Sequence, residues 1–439
     1  MELSFGWVLA LIIILLFVFL GSGLWVAFAL GAVGLIGVIF FVGKGGGFIF
    51  DVVYNAACSY ILAAIPLFIF MGEVVLRCGL SERLYRGISL LTRILPGGLL
   101  HSNIVSCALF AAISGSSVAT AATIGTVAYP EQKKRGYDYK LTVGSLAAGG
   151  TIGILIPPSI TLIIYGSFVG ESVGRLFMAG VFPGILEALF YMTYIFFATV
   201  RNPSLGPPRE SITKRYFLDF GVIIKDIWPI LLLMCIIFGG IYTGIMTPTE
   251  AAGISCFVAL VLAAFFRKLN FKVLKESAIS ALQTTAMIML IIIGAKILTC
   301  ALSMLKIPAQ VCAAAGGLGF NRYIILIFVA ILYLVLGCFM DGISLMLVTL
   351  PITYPLVVGT LGFNSVWFGI IVTRLVECAL ITPPVGLNLY VLYGVTAEKD
   401  FKELVKGILP FFMLDLADII ILTSFPIIVL FLPSTMLGT

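Results

Sequence analysis

Long apolar runs, separated by short polar stretches, dominate the chain. A helix that crosses a bilayer needs about 20 consecutive apolar residues. On that basis the pattern predicts membrane spans over residues 5–20, 24–42, 57–76, 176–199, 227–245, 250–266, 284–304 and 407–432. Residues 44–56 and 267–283 are more polar and are expected to lie at the membrane interface. The pattern therefore predicts an all-α polytopic membrane protein.

Four further apolar runs are interrupted by glycine, proline and polar residues. The runs are 98–130, 141–169, 323–355 and 364–397, and their breaks lie at Ser114–Ser117, Gly149–Pro158, Gly337–Gly342 and Thr382–Pro384. An interrupted backbone in lipid is tolerated only where it is buried in protein or lines a cavity. Breaks at corresponding places in two halves of a chain point to the binding site of a transporter.

The two halves of the chain repeat each other. The segment from Gly72 to Cys78 matches the segment from Gly294 to Cys300, and three further pairs of positions match at a nearly constant offset of 222–227 residues: Tyr129-Pro130 with Tyr354-Pro355, Gly180 with Gly407, and Pro183 with Pro410. Matches at one offset are typical of an internal repeat. We therefore expect a first repeat over residues 1–200, a cytoplasmic linker over 201–226 and a second repeat over 227–439.

The distribution of basic residues predicts that the repeats have opposite topology. Residues 77–93 carry four basic side chains and residues 131–140 carry four, whereas their counterparts 299–315 and 356–366 carry one and none. Conversely, residues 398–406 carry three, against one in 171–180. Basic residues are concentrated in cytoplasmic loops. The bias therefore predicts cytoplasmic 77–93 and 131–140 loops and places both termini outside.

A re-entrant hairpin follows from this topology. Arg93 and Lys133 are expected on the same side of the membrane, so the run 98–130 must enter and leave from that side. Each half has about a dozen residues, or about 18 Å of helix, which is too short to cross about 30 Å of hydrocarbon. The repeat predicts a second hairpin over 323–355 that enters from outside. The two tips are expected to meet near the midplane.

Composition agrees with a membrane protein and argues against several classes of site. Of the 439 residues, 61% are hydrophobic and only 10% are charged, against about 25% charged in soluble domains. The single histidine, His101, argues against a zinc site, a haem or a histidine-based catalytic dyad. An intramembrane serine protease built on Ser114–Ser117 is disfavoured because His101 lies far from the tip. The chain is therefore not expected to be an enzyme, and nucleic acid is not expected as a partner.

The breaks carry groups that suit ions. Free carbonyls and hydroxyls at helix ends suit Na⁺, while helix N-termini suit a carboxylate or another anion. Asp341 is ionisable at membrane depth, which indicates either a functional group or a helix cap. Arg374 and Glu377 lie three residues apart and can pair on one helix face. Whether Arg374 serves that pair or an anionic substrate stays open at this point.

Five motifs in order resemble one known family, the large membrane subunit of tripartite ATP-independent periplasmic (TRAP) transporters. They are residues 66–72 (PLFIFMG), 114–120 (SGSSVAT), 153–159 (GILIPPS), 247–251 (TPTEA) and 381–388 (ITPPVGLN). The resemblance covers nearly the whole chain. One departure is Ala379, where the family usually has glycine between a glutamate and the Ile-Thr-Pro-Pro motif.

The resemblance implies an elevator-type fold and a Na⁺-coupled secondary importer in a bacterial inner membrane. It implies two partners: a small four-helix membrane subunit, expected on a separate chain, and a periplasmic binding protein that delivers a small organic anion, a carboxylate or sulfonate. Two or more Na⁺ ions are expected. Carried over by position, the first Na⁺ site involves Ser114, Gly115, Gly149, Thr151 and Pro157, the second involves Gly337, Asp341, Thr382 and Pro383, and the substrate meets Ser116, Ser117, Arg374 and Asn388.

A second hypothesis is a stand-alone ion-coupled carboxylate transporter or antiporter of related architecture. Such a carrier needs no binding protein, so uptake with and without a soluble partner distinguishes the two.

Overall fold

The structure is a computed structural model that describes residues 5–42, 47–209, 214–317, 319–383, 386–396 and 401–436. Within these ranges the ordered elements are helices and no strand is present. Six of the described helices are long and apolar enough to cross a membrane, and a seventh span forms if the last two helices, which meet at 61°, count as one. The predicted all-α polytopic membrane fold is confirmed.

The first ten helices cover the residues up to Arg201. They are α1 (Phe5–Gly21), α2 (Val26–Ile36), α3 (Gly47–Ala57), α4 (Ala64–Arg77), α5 (Leu80–Thr92), α6 (Gly98–Ser114), α7 (Ser117–Lys134), α8 (Tyr139–Ile152), α9 (Ile160–Val169) and α10 (Val173–Arg201). A π-helical segment, Gly37–Val42, continues α2, and a 3₁₀ turn, Tyr60–Ala63, leads into α4.

Ten further helices follow. They are α11 (Lys214–Tyr242), α12 (Pro248–Phe265), α13 (Phe271–Met304), α14 (Ile307–Gly317), α15 (Arg322–Gly337), α16 (Gly342–Tyr354), α17 (Ser365–Leu380), α18 (Leu387–Thr396), α19 (Phe401–Ser424) and α20 (Ile427–Ser434). A π-helical segment, Pro355–Thr360, extends α16.

Helix ends lie at each of the four interruptions in the apolar pattern. α6 stops at Ser114 and α7 starts at Ser117, while α15 stops at Gly337 and α16 starts at Gly342. α8 and α9 are separated by residues 153–159, and α17 and α18 by residues 381–386, of which Pro384 and Val385 lie outside the described ranges. α6 packs on α7 and α15 packs on α16. That each pair re-enters the membrane, and that the repeats are inverted, stay predictions.

The helices pack as two groups. One group, which we call the frame, consists of α1–α5 and α11–α14, with α13 packed against α2, α3 and α4. The other, the inner group, consists of α6–α10 and α15–α20. α8 packs on α6 and α19, while α10 packs on α17, α19 and α20. The inner group contains all four helix breaks and therefore contains the candidate site.

Glycines bring backbones together at the contacts of the frame. A Cβ on Gly34 of α2 would lie 2.6 Å from the backbone nitrogen of Leu298 on α13. A Cβ on Gly72 of α4 would lie 3.0 Å from both the carbonyl oxygen of Ile113 and the Cα of Ser114, at the end of α6. Small residues allow this close approach between membrane helices. The frame thus reaches the first hairpin tip through backbone contact.

Two stretches differ from the sequence prediction. The second half of the predicted linker, from Lys214 to Asp226, belongs to α11. Its acidic side chains meet the arginines of α5: Asp226 is 3.2 Å from Arg83 and 2.7 Å from Arg86, and Asp219 is 2.7 Å from Arg93. These pairs bind α11 to α5.

The predicted interfacial helix 267–283 and span 284–304 form one continuous helix instead. α13 runs for 34 residues, from Phe271 to Met304, or about 51 Å at 1.5 Å per residue. Asn270 caps its N-terminus by accepting a hydrogen bond from the Val273 amide at 2.8 Å. No proline or glycine interrupts the helix where the polarity changes, so the boundary in polarity is not a boundary in structure.

We predict that Asp226→Ala lowers the stability of the chain by about 1–3 kcal/mol, because two arginines then lose a shared buried carboxylate. Thermal melting in detergent measures the effect. The control is Glu131→Ala, which removes an exposed pair with Arg135 at 2.7 Å and should cost less than about 1 kcal/mol. Equal effects of the two variants would contradict the role of Asp226.

Candidate functional site

A cavity of about 250 Å³ lies between the two helix-pair tips. Residues from both tips, from α9, from α13 and from α17 line it. Its polar lining residues are Ser116, Ser117, Thr161, Thr284, Asp341 and Glu377. Isoleucine, leucine, methionine and valine side chains form most of the remaining wall. Among the described residues that line this cavity there is no lysine, arginine or histidine.

The first tip is a glycine turn followed by a capped helix. Gly115 has φ +65° and its amide donates to the Ala111 carbonyl at 2.8 Å, which ends α6. A Cβ on Gly115 would lie 2.8 Å from Cδ1 of Ile160, so the turn packs tightly against α9. Ser116 then caps α7 by accepting from the Ala119 amide at 3.3 Å. The hydroxyls of Ser114 and Thr120, 2.9 Å apart, brace the turn.

A buried hydrogen bond connects the first tip to the second broken helix. The Ser117 hydroxyl donates to Oε2 of Glu377 at 2.5 Å, across 260 residues of sequence. Both side chains are at least 98% buried. Oε1 of Glu377 has no hydrogen-bond partner among the described residues. One carboxylate oxygen is therefore held by the tip, and the other is a buried acceptor without a donor among the described residues.

The second tip is built on a carboxylate cap. Oδ2 of Asp341 accepts a hydrogen bond from the Ser344 amide at 3.1 Å and caps α16. The capping role left open by the sequence is thus observed, and Asp341 lines the cavity as well. A cap uses only part of a carboxylate's acceptor capacity. Asp341 can therefore hold the helix end and still present negative charge to the cavity.

The residues predicted for the second Na⁺ site lie near each other. The Cα of Gly337 packs so closely on Ala379 that a Cβ there would collide with the alanine methyl group. The Cys338 thiol, next to Gly337, is 3.8 Å from the carbonyl oxygen of Pro383. The Thr382 hydroxyl donates to the Cys378 carbonyl at 2.6 Å. The end of α15 thus meets the break between α17 and α18, with backbone oxygens close by.

The predicted first Na⁺ site is brought together less completely. Gly149 packs on α6, where a Cβ would lie 3.1 Å from Cβ of Cys107, and Pro157 lies in the buried turn before α9, joined to Pro158 by a cis peptide bond. The Thr151 hydroxyl donates to the Ala148 carbonyl at 2.6 Å and lies 3.3 Å from Glu187. Because its side chain faces Glu187, we leave Thr151 out of the site.

Arg374 is not at the cavity. It is fully buried and contacts three carboxylates at 2.8–3.0 Å, belonging to Glu187, Asp415 and Asp418. The expected pair with Glu377 is not among the ion pairs of the described residues. An arginine already surrounded by carboxylates attracts an external anion weakly, so the predicted substrate role of Arg374 is not supported by its surroundings.

Asn388 also lies away from this cavity's lining, at the start of α18. Its side chain is completely buried, and neither its amide oxygen nor its amide nitrogen has a hydrogen-bond partner among the described residues. Its predicted contact with substrate stays a prediction.

With the fold and cavity established, comparison with known proteins assigns the family. Residues 13–428 match the family described as tripartite ATP-independent periplasmic transporter, DctM component. The chain belongs to this family. It is therefore a TRAP large permease subunit, a transport protein and not an enzyme.

Individual relatives agree. The TRAP subunit is 35% identical over 382 residues to the C4-dicarboxylate TRAP transporter large permease protein of Pseudomonas aeruginosa, covering 87% of this chain and 88% of that one. It is 33% identical over 414 residues to the isethionate TRAP transporter permease protein of Oleidesulfovibrio alaskensis, covering 94% of this chain but only 64% of that longer protein.

A solved structure shares the fold. The YdaH transporter of Alcanivorax borkumensis is similar with a TM-score of 0.61 over 87% of each chain, at 14% sequence identity. At this identity the likeness shows the fold alone.

Three polar lining residues of the TRAP subunit's cavity are not among the site residues predicted from sequence: Glu377, Thr161 and Thr284. A signal for Glu377 was present, because a glutamate five residues before Thr382 lies on the helix that leads into a predicted break. Thr284 lies on α13 of the frame, and no local pattern connects it to the hairpins.

We predict that Gly115→Ala destabilises the TRAP subunit more than Gly136→Ala. Both glycines have positive φ, +65° and +77°, so both substitutions carry backbone strain of about 1 kcal/mol. Only Gly115 has a neighbour that must move, Ile160, whereas nothing lies within 4 Å of a Cβ at Gly136. Thermal melting compares the two, and an equal loss would show that the tip is not tightly packed.

Proposed function

We propose that this TRAP subunit is the membrane permease of a Na⁺-coupled secondary importer of small organic anions, carboxylates or sulfonates. The observation that carries the proposal is the charge of the cavity. Its described lining has two carboxylates, Asp341 and Glu377, and no basic side chain. An anion entering a poorly hydrated cavity beside two carboxylates needs positive charge. Na⁺ bound with the substrate supplies that charge and couples the two fluxes.

The tips offer the anion its direct contacts. α7 and α16 both begin at the cavity, near Ser116 and Gly342. Helix N-termini present free amides and partial positive charge to anions. Ser116 and Ser117 add hydroxyls beside one of these termini. A carboxylate or sulfonate placed between the tips would receive hydrogen bonds from both halves of the chain.

The Na⁺ ions are proposed at the two breaks, where oxygen atoms are concentrated. Hard cations are bound by carbonyl, hydroxyl and carboxylate oxygens. The first site uses Ser114, Gly115, Gly149 near the end of α8, and Pro157 in the turn between α8 and α9. The second uses Gly337, Asp341, Thr382 and Pro383; the contact of Cys338, next to Gly337, with the carbonyl oxygen of Pro383 supports it. With the ions bound, the tips and breaks form one unit, as an elevator mechanism requires.

The relatives support the substrate class and the partners. One is named for C4-dicarboxylates and another for isethionate, a carboxylate and a sulfonate class respectively. The family is tripartite. We propose that a small four-helix membrane subunit and a periplasmic binding protein complete the transporter in a bacterial inner membrane, with both termini of this chain on the periplasmic side.

We predict that Asp341→Asn raises the Na⁺ concentration for half-maximal uptake by about tenfold, corresponding to about 1.4 kcal/mol. The asparagine keeps a capping oxygen but loses the charge. Asp138→Asn is the matched control, because Asp138 caps α8 through the Leu141 amide at 2.9 Å and is not among the residues that line the cavity. Unchanged Na⁺ dependence in Asp341→Asn would remove Asp341 from the site.

We predict that proteoliposomes containing this chain and its small membrane subunit take up radiolabelled succinate or isethionate only with an inward Na⁺ gradient and the periplasmic binding protein added. Both are needed because the ions supply charge and the binding protein delivers the anion. Na⁺-driven uptake without the soluble protein would favour the stand-alone carrier. Uptake driven equally by a K⁺ gradient would contradict Na⁺ coupling.

A further inference from the structure

A buried group of charges holds the inner helices together, outside the cavity. We call it the Arg374 cluster: Arg374 on α17, Glu187 and Tyr191 on α10, and Asp415 and Asp418 on α19. Each of the four charged side chains is at most 1% exposed. One guanidinium thus faces three carboxyl groups. If all were ionised, the cluster would carry a formal charge of −2.

The described side chains do not balance this negative charge. Among the described residues, Arg374 is the only basic side chain that forms an ion pair with any of these carboxyl groups. The other titratable side chains near the cluster are Glu377 and Cys378, which follow Arg374 on α17, and neither brings positive charge. Uncompensated charge in a membrane interior is expensive. The cluster therefore needs a bound cation, and the smallest is a proton.

The Tyr191 hydroxyl has too few hydrogens for the two carboxyl contacts that it makes. Its hydroxyl oxygen contacts Oε1 of Glu187 at 2.9 Å and also contacts Oδ1 of Asp415. A phenol has one hydrogen and can donate to only one of them. Two carboxylates would leave one oxygen facing the phenol oxygen without a hydrogen between them. The contact is satisfied if one of the two carboxyl groups is protonated and donates to Tyr191.

The remaining contacts select Glu187. Asp415 and Asp418 accept hydrogen bonds from Arg374 Nη2 and Nε, each at 3.0 Å. Nη1 lies 2.8 Å from Oε2 of Glu187, but neither atom makes a hydrogen bond of good geometry. The Thr151 hydroxyl does not donate to Glu187 either. Its one hydrogen is donated to the Ala148 carbonyl, because a carbonyl can only accept. Of the two carboxyl groups that contact Tyr191, Asp415 also accepts from Arg374, whereas Glu187 has no hydrogen bond of good geometry to the guanidinium. Glu187 is therefore the less well served of those two.

We propose that the Arg374 cluster is a proton-binding site in which Glu187 takes up a proton from water. The Glu187 carboxyl then donates to the oxygen of Tyr191, and Tyr191 donates its own hydrogen to Asp415. The formal charge of the cluster falls from −2 to −1, and every contact of the Tyr191 hydroxyl is satisfied. The site joins α10, α17 and α19, and α17 also carries Glu377 at the cavity wall.

Infrared spectroscopy of the purified full chain in detergent tests the proposal. A protonated carboxyl group has a C=O stretching band distinct from carboxylate bands. We expect the band of one carboxyl group to be lost in Glu187→Gln and kept in Glu403→Gln, because Glu403 is partly exposed and paired with Lys140 and Lys406 at 3.0 and 2.9 Å. A wild-type band that is unchanged in Glu187→Gln would overturn the proposal.

A second variant covers a failure of Glu187→Gln to fold. Tyr191→Phe removes the acceptor of the proposed hydrogen bond, so the Glu187 band should shift to higher frequency while the group stays protonated. The absence of any shift would overturn the Glu187–Tyr191 contact.

Stability gives an independent measurement. The folded chain would hold one proton that an unfolded chain releases at neutral pH, so stability should fall as pH rises. The folding equilibrium constant should decrease by about tenfold per pH unit through this one group. Glu187→Gln, which has no such proton to lose, should show a shallower decline than Glu403→Gln or the wild type. Parallel declines in all three would overturn the proposal.

Discussion

The membrane leaves no water to bind an interrupted backbone, and the inner group of helices is organised around this constraint. Each break that the structure describes supplies its own donors and acceptors. Ser116, Ser159 and Asp341 cap the helices that follow three of the breaks. The breaks are also buried against each other, so the polar tips lie in protein and around a cavity. The need to satisfy backbone polar groups away from lipid thus accounts for both the polar caps and the polar cavity.

The polar contacts of the inner group form two layers. At the cavity, Ser117 and Glu377 join the first tip to α17. One helical turn away, Arg374 joins α17 to α10 and α19. The same helix therefore presents a carboxylate to the cavity and anchors itself through an arginine in the interior. In a low-dielectric interior such charge contacts are strong when paired and costly when left unpaired, which makes α17 a firmly positioned element.

Much of the helical pattern follows from sequence, because length and hydrophobicity govern spans, and glycine, proline and serine mark breaks. The ends of α6, α7, α15 and α16 lie close to the interruptions read from Ser114–Ser117 and Gly337–Gly342. Contacts between residues that are far apart in sequence were harder to predict. The polar stretch up to Asp226 pairs with arginines of α5 that are far away in sequence, and α13 continues through a change in polarity that has no breaker.

The same difference between local features and long-range contacts applies to the candidate site. Ser116, Ser117 and Asp341 were predictable because they lie at breaks, and they do line the cavity. Arg374 was harder to interpret, because the three carboxylates that it contacts, on α10 and α19, are far away in sequence. Counting charges would have helped: Glu187, Asp415 and Asp418 lie in apolar stretches of α10 and α19, and three buried carboxylates require a cation. The spacing of Arg374 and Glu377 in sequence suggested a local pair, but Arg374 pairs with carboxylates on other helices instead.

The glycine contact between α4 and α6 has a mechanical consequence. At Gly72 the frame meets the first tip closely, and the atoms nearest to a Cβ there would be backbone atoms of Ile113 and Ser114. Interlocked side chains must change rotamer or separate before two helices can slide, whereas a smooth backbone surface carries no such barrier. The same contact that brings the tip close to the frame therefore offers little side-chain resistance to sliding of the tip at that point.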